Sequence, residues 1–222
     1  MNRPNLLLAS QSPRRRELLK LLGLPFEVTV AHVSEEARAG ETPHELVIRL
    51  SRAKATRPEL ERGRRQIVIG CDTVVALDNG ASQPRILGKP ANRREATAML
   101  RGLRGRAHTV YSGVTTLLPG RGTQTELAAT HLRMRPYTDE EIAAYVASGD
   151  PFDKAGAYAI QHAGFDPVGE IDGCYASVMG LPLCHLTWLL QQLGCSPTAD
   201  VPAACQAHTV RRCGVYEEIL HP

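Results

Sequence analysis

Strand and helix patterns alternate along the whole chain, which predicts a protein of the α/β or α+β class, and three observations carry that prediction. The stretch Gln66–Leu77, QIVIGCDTVVAL, is a long β-branched run that reads as one buried strand. Capping signatures open helices at Ser12-Pro13, Thr42-Pro43-His44-Glu45 and Thr138-Asp139-Glu140-Glu141. Two apolar segments, 109–118 and 126–135, flank a Pro-Gly-Arg-Gly turn as a long hairpin.

Taken in order, Asn5–Ala9 reads as a strand that ends at Ser10. Ser12 caps a helix with Pro13 at its first position, and Gly23 stops that helix after about Leu22. Residues 26–31 alternate as a second strand. The helix opened by Thr42 carries Leu46, Leu50 and Ala53 on one face and Lys54 near its end. After the long strand comes a turn at Asp78-Asn79-Gly80, then a helix over 92–103. The Thr138 helix closes at Gly149. DPFDKAGAYAIQ and GEIDGCYASV read as loop, short strand, turn and strand. A last helix over 182–193 ends at Gly194, and the Pro/Ala-rich 196–207 begins a loosely organised tail.

With 222 residues and 43% hydrophobic content, the chain has enough apolar material for a core. A net charge of +3 is too small for wholesale coating of nucleic acid, so the arginine groups at 14–16, 62–65, 93–94 and 211–212 matter locally. The apolar start is too short for a signal-peptide core, and no segment approaches a membrane span of about 18 residues. The six cysteines form no C-x-x-C pair. The expectation is a cytoplasmic protein with reduced thiols and no membrane partner.

Asp72 is the most informative position, because a carboxylate inside an apolar strand must be paired, metal-bound or displayed at a strand end. It could equally turn the chain or cap a neighbour. Its company is cationic: Arg14 and Arg15 sit in the first turn of a helix, Lys54 near the end of another, and Lys89 and Lys154 on loops. Each alone is an ordinary surface cation, but together they can neutralise a polyphosphate, with Ser10 and Ser12 adding hydroxyls. Familiar alternatives fail: Lys89 is followed by Pro90, so there is no Walker motif, and His44-Glu45 lacks a second histidine at Ile48.

Six blocks, ASQSPRRREL (9–18), RLSRAKA (49–55), IVIGCDTVV (67–75), LGKP (87–90), DKAGAYAIQ (153–161) and SVMGLPL (177–183), closely resemble the signatures of the Maf proteins, a family of nucleoside triphosphate pyrophosphatases. The resemblance covers about residues 5–194 and implies a two-lobed fold related to the inosine-triphosphate pyrophosphatases, with a long curved mixed sheet flanked by helices. It implies hydrolysis between the α and β phosphates with a divalent cation, Mg²⁺ or Mn²⁺, and Asp72 as general base. On that reading Asp72 and Glu35 hold the metal, and Ser10, Arg14, Arg15, Lys54, Thr73, Lys89, Lys154 and Gln161 bind substrate. Arg14, Thr73 and Gln161 match the members that prefer dTTP and UTP.

Cys71, Ala159 and His162 depart from the family's usual residues at their positions. Residues 195–222 extend past its usual end, as a frayed tail or packed helix rather than a metal knuckle of Cys195, Cys205, His208 and Cys213. The expected partner is a nucleoside triphosphate, with no stable nucleic acid and with a homodimer as one possible assembly. The rivals are a non-catalytic nucleotide- or nucleic-acid-binding regulator of cell division and an inosine-triphosphate-type enzyme.

Overall fold

The computed structural model describes residues 5–57, 66–80 and 83–221; the arginine group at 62–65 lies outside them. The expected α/β class is observed, as one seven-stranded mixed sheet flanked by helices. Its strands are β1 (Asn5–Ala9), β2 (Phe26–Thr29), β3 (Gln66–Leu77), β4 (Arg85–Leu87), β5 (Ala107–Leu118), β6 (Gly122–Met134) and β7 (Val168–Asp172). They run in the order β2-β1-β3-β5-β6-β7, and β4 pairs with β3 off that path. β1 is parallel to both β2 and β3, whereas β3, β5, β6 and β7 are antiparallel neighbours.

The capped helices stand where the sequence places them. Ser12 caps α1 (Pro13–Lys20), accepting from the Arg15 N–H. Thr42 and Glu45 close a complete capping box on α2 (Pro43–Thr56), and Thr138 and Glu141 another on α4 (Asp139–Ala147). Asn92 caps α3 (Arg93–Leu103). Beyond β7 come α5 (Tyr175–Met179), α6 (Leu183–Gln192), α7 (Val201–Thr209) and α8 (Tyr216–Leu220).

Three expectations are corrected. The stretch around Tyr158 holds no strand, because two 3-10 turns, Asp150–Asp153 and Ala155–Ala157, coil it around Lys154. Residues Tyr175–Met179 are helical rather than extended: Gly173 at φ +124 breaks the strand, and Gly180 at φ +114 ends the following turn. Residues 195–221 are not loose, since Thr198 donates from its N–H to Leu22 O at 3.1 Å, and Val201 is buried.

α2 crosses β3 and β5 at very short range. A Cβ added at Gly70 would stand 2.2 Å from the Ser51 carbonyl oxygen, and one at Gly113 would stand 2.6 Å from that of Val47. The two glycines therefore let a helix backbone rest directly on a sheet backbone. Ser51 and Thr115 hydroxyls share a 2.9 Å hydrogen bond in the same seam, and Leu46, Val47, Leu50 and Val74 pack beside it. The larger core lies on the opposite face of the sheet, around Leu8, Ile69, Leu100, Val114 and Leu186.

Gly70→Ala forces α2 off the sheet and costs about 1–3 kcal/mol, as overpacked cores do; urea unfolding measures it, and an unchanged midpoint refutes the close contact. A pH dependence follows from two buried imidazoles. Burial pushes His108, whose Nε2 stands 2.8 Å from the Tyr158 hydroxyl, and His185 down to about 4. Between about pH 4 and 6.5 the unfolded chain binds the protons that these folded imidazoles refuse, so their contribution is complete above pH 6.5 and is lost as pH falls toward 4. Replacing both with Gln flattens the pH slope of unfolding free energy across that window; the wild-type slope persisting in the double variant refutes it.

Candidate active site

β3 supplies the site because part of one edge is bare. β1 pairs with it only as far as Leu8 opposite Ile69, and β4 joins at Leu87 opposite Val75. Residues 70–74 lie between, held by β5 on the other side alone. At such a gap both faces of a strand are reachable from one cleft. Asp72, with Gly70 and Val74, faces α2, whereas Cys71 and Thr73 face α1 and α5. The cleft at the gap has a volume of about 360 Å³ and is lined by Arg15, Glu35, Lys54, Asp72, Lys89 and Tyr158, among others. It lies beyond the carboxyl end of parallel β1, where open α/β sheets hold ligands.

Asp72 is 6% exposed, and its Oδ1 accepts from Lys54 Nζ at 2.6 Å. The same ammonium donates to Glu35 Oε1 at 2.5 Å, and Lys89 Nζ stands 3.8 Å from Glu35 Oε2. Burial is the largest influence on Asp72 and raises its carboxyl above the ordinary range, against the charges of Lys54 and Arg15. Burial also works upward on Glu35, but the Lys54 hydrogen bond and the charges of Lys54, Lys89 and Arg15 together outweigh it, so Glu35 titrates below its usual value.

On the other face, Arg15 is fixed at every arm. Its Nε donates to Gly180 O at 2.8 Å, Nη1 to Ser10 Oγ at 3.3 Å and Nη2 to Thr73 Oγ1 at 3.3 Å. Thr73 and Ser112 hydroxyls lie 2.8 Å apart, and Ser112 donates to Ser177 O at 2.7 Å. Ser10 thus sits beneath Arg15 rather than lining the cleft, while Ser12 lines it and caps α1. Gln161 is exposed at the rim, and the neighbouring His162 ring lies 4.8 Å from that of Tyr145.

Lys154 differs from the expectation of a free phosphate-binding cation. It is 7% exposed, and its ammonium donates to Asp150 O and Oδ1 and to Asp153 Oδ1, which uses all three of its protons. Asp153 also accepts from Arg14 Nη1 at 2.9 Å. Lys154 therefore orders the loop that carries Tyr158 and Gln161. Ser112, Asp153 and Tyr158 were not singled out in the sequence. Asp153 and Tyr158, both inside a recognised block, were open to detection; Ser112 is found only through its register opposite Thr73.

Hard oxygen donors suited to a divalent cation are present in Asp72 and Glu35, joined through Lys54. Among the described residues no group of three His, Cys, Asp or Glu side chains is gathered to hold an ion. Such a pair fits a cation of the Mg²⁺ kind, which takes one or two carboxylates and completes its shell with substrate phosphate and water.

The family model described as Maf-like protein matches residues 5–193. A dTTP/UTP pyrophosphatase of Geotalea uraniireducens is 43% identical over 191 residues, covering 86% of this chain and 95% of its own. Another of that description, from Bacillus cereus, is 42% identical over 197 residues, covering 89% and 94%. Among solved structures, a HAM1 protein from Coxiella burnetii is similar over 60% of this chain and 74% of its own, at 17% identity and a TM-score of 0.40.

Lys154→Met removes the cation from its two aspartates. It lowers unfolding free energy by about 1–2 kcal/mol, less than for a fully enclosed pair because Asp153 is 59% exposed. Chemical denaturation checks the figure, and a neutral substitution removes Lys154 from the loop's support.

Proposed function

The chain belongs to the Maf family, and from that premise we propose that it hydrolyses nucleoside triphosphates between the α and β phosphates, preferring dTTP and UTP. The observation that carries this reading is the buried Asp72–Lys54 pair, facing a cleft whose rim holds Arg14, Arg15 and Lys89. A carboxylate here opposes polyphosphate binding, so its presence calls for proton transfer or cation binding. A non-catalytic binder has no use for it.

In this reading Asp72 accepts a proton from water as the oxygen attacks the α phosphorus. The α–β anhydride bond breaks, and pyrophosphate leaves with the bonding electrons, giving the nucleoside monophosphate. Burial raises the Asp72 carboxyl, and Lys54 works against that rise in favour of the ionised form and fixes the carboxylate's orientation. Arg15, already locked by three partners, offsets charge developing on the bridging oxygen and leaving group without reorganising, and the exposed Lys89 adds a second positive charge there. Asp72 and Glu35 would hold a Mg²⁺ or Mn²⁺ ion, which when bound supplies charge neutralisation of the phosphates. Arg14, Thr73 and Gln161 would select the base, and Ala159 fills space beside them.

The working state would be a cytoplasmic enzyme whose partner is its triphosphate, without nucleic acid, and a homodimer is compatible with it. Six free cysteines accord with a reducing compartment. Among the described residues no helix is long and apolar enough to cross a membrane.

Asp72→Asn lowers pyrophosphate release by about 10²–10⁴-fold, the usual worth of a general base. Near-normal turnover removes the base role from Asp72, whereas a wild type without turnover whose nucleotide binding tightens in Asp72→Asn returns the protein to the binding-module reading. In kcat/KM against pH, the acid limb lies above the ordinary carboxylate range. Lys54→Met removes a cation that lowers the Asp72 pKa and so moves that limb to higher pH; a shift to lower pH contradicts the assignment. Arg14→Ala changes the ratio of kcat/KM among dTTP, UTP and GTP by about tenfold, roughly the value of one lost contact, and an unaltered ratio removes Arg14 from base selection.

A further inference from the structure

A second cavity, of about 270 Å³, lies between the catalytic body and the C-terminal helices. Four of the chain's six cysteines line it: Cys174 and Cys184 from the body, Cys205 and Cys213 from the helices beyond. Cys174 caps α5, Cys184 lies in the first turn of α6, Cys205 lies in α7, and Cys213 lies in the bend before α8. Cys195 is buried in the main core, and His208 is exposed and absent from the wall. The set is thus different from any the tail could supply alone.

We propose that Cys174, Cys184, Cys205 and Cys213 form a tetrathiolate centre for a thiophilic metal, of the zinc or iron–sulfur class, that clamps the C-terminal helices to the body. Four sulfur donors around one cavity in a chain expected to keep its thiols reduced favour metal over disulfide chemistry. Burial and mutual repulsion raise the thiols, Cys174 and Cys184 to about 12 and Cys205 to about 11, so without a metal they stay protonated and poor as nucleophiles. Binding of a divalent ion releases four protons and leaves a centre of charge −2. Arg211 and Arg212 stand on the same wall to balance it, and the Arg211 guanidinium lies 5.5 Å from the centre of the Tyr175 ring.

The backbone supports this use. Val210 holds φ +53 at the end of α7, a conformation that β-branched residues avoid. Beyond that reversal Cys213 lines the same cavity as Cys205, and the Cys213 N–H donates to Gln206 Oε1 at 3.0 Å. Among the described residues no three His, Cys, Asp or Glu side chains are gathered to hold an ion, so the four thiols must converge when the metal binds. α5 runs from Cys174 at the cavity to Gly180 beneath Arg15, which ties the clamp to the active site.

The full chain purified without chelator is expected to carry about one zinc, or iron with acid-labile sulfide, per chain by elemental analysis, released when a mercurial blocks its thiols. Metal-free reduced protein titrated with Co²⁺ should give sulfur-to-cobalt charge-transfer absorption saturating near one equivalent. Cys205→Ser/Cys213→Ser should lower the metal content at least tenfold while His208→Ala keeps it. Wild-type chain that holds no metal and gives no cobalt–thiolate absorption overturns the proposal, as does a double variant that keeps its metal. The cobalt titration needs no variant, so a misfolded mutant leaves it decisive.

Discussion

The site depends on one buried ion pair, Lys54 with Asp72, set at the bare stretch of β3. A carboxylate so enclosed is costly, and losing its partner would leave an uncompensated charge inside the protein. The pair exists because α2 approaches the sheet closely enough for a lysine at its end to meet a strand residue. That approach is allowed only by the missing side chains at Gly70 and Gly113. Packing and chemistry are therefore joined at one seam: the spacing that seals the small apolar cluster beside α2 also sets the 2.6 Å contact.

The other half of the cleft is built on hydroxyls and backbone carbonyls rather than on charge pairs. Arg15 rests on Ser10, Thr73 and Gly180, and Thr73 continues through Ser112 to α5. A guanidinium held this way keeps its positive charge uncancelled and aimed, which suits an anionic ligand. Arg14 and Lys154 are arranged differently. Asp153 engages both, so their charge is largely spent on ordering the loop that carries Tyr158 and Gln161.

Local signals were legible wherever local physics decides. Caps at Ser12, Thr42, Asn92 and Thr138 satisfy free helix N–H groups within a few residues, so the helix starts could be read directly. The β-branched run at β3 and the hairpin of β5 and β6 were equally plain, though the strands extend further than their apolar parts. The short β4 was missed, since three residues carry no periodicity and pair only because β3 offers an edge. The turn of α5 was read as strand because its β-branched and aromatic residues favour extension. Gly173 and Gly180, by their positive φ, overruled them.

The sequence by itself determined the class, most helix boundaries and the cast of the site, because caps, periodicity and a charged residue within an apolar strand are properties of neighbours in the chain. Its blocks also marked the family, which the comparison bears out. Only the tertiary structure decided how that cast is used. It gave Asp72 to Lys54, withdrew Lys154 into its loop, put Ser10 beneath Arg15, and brought four distant thiols to one cavity. Those outcomes depend on which residues face each other across the sheet and between helices far apart in sequence. Such pairings are fixed by global packing, and spacing along the chain does not encode them.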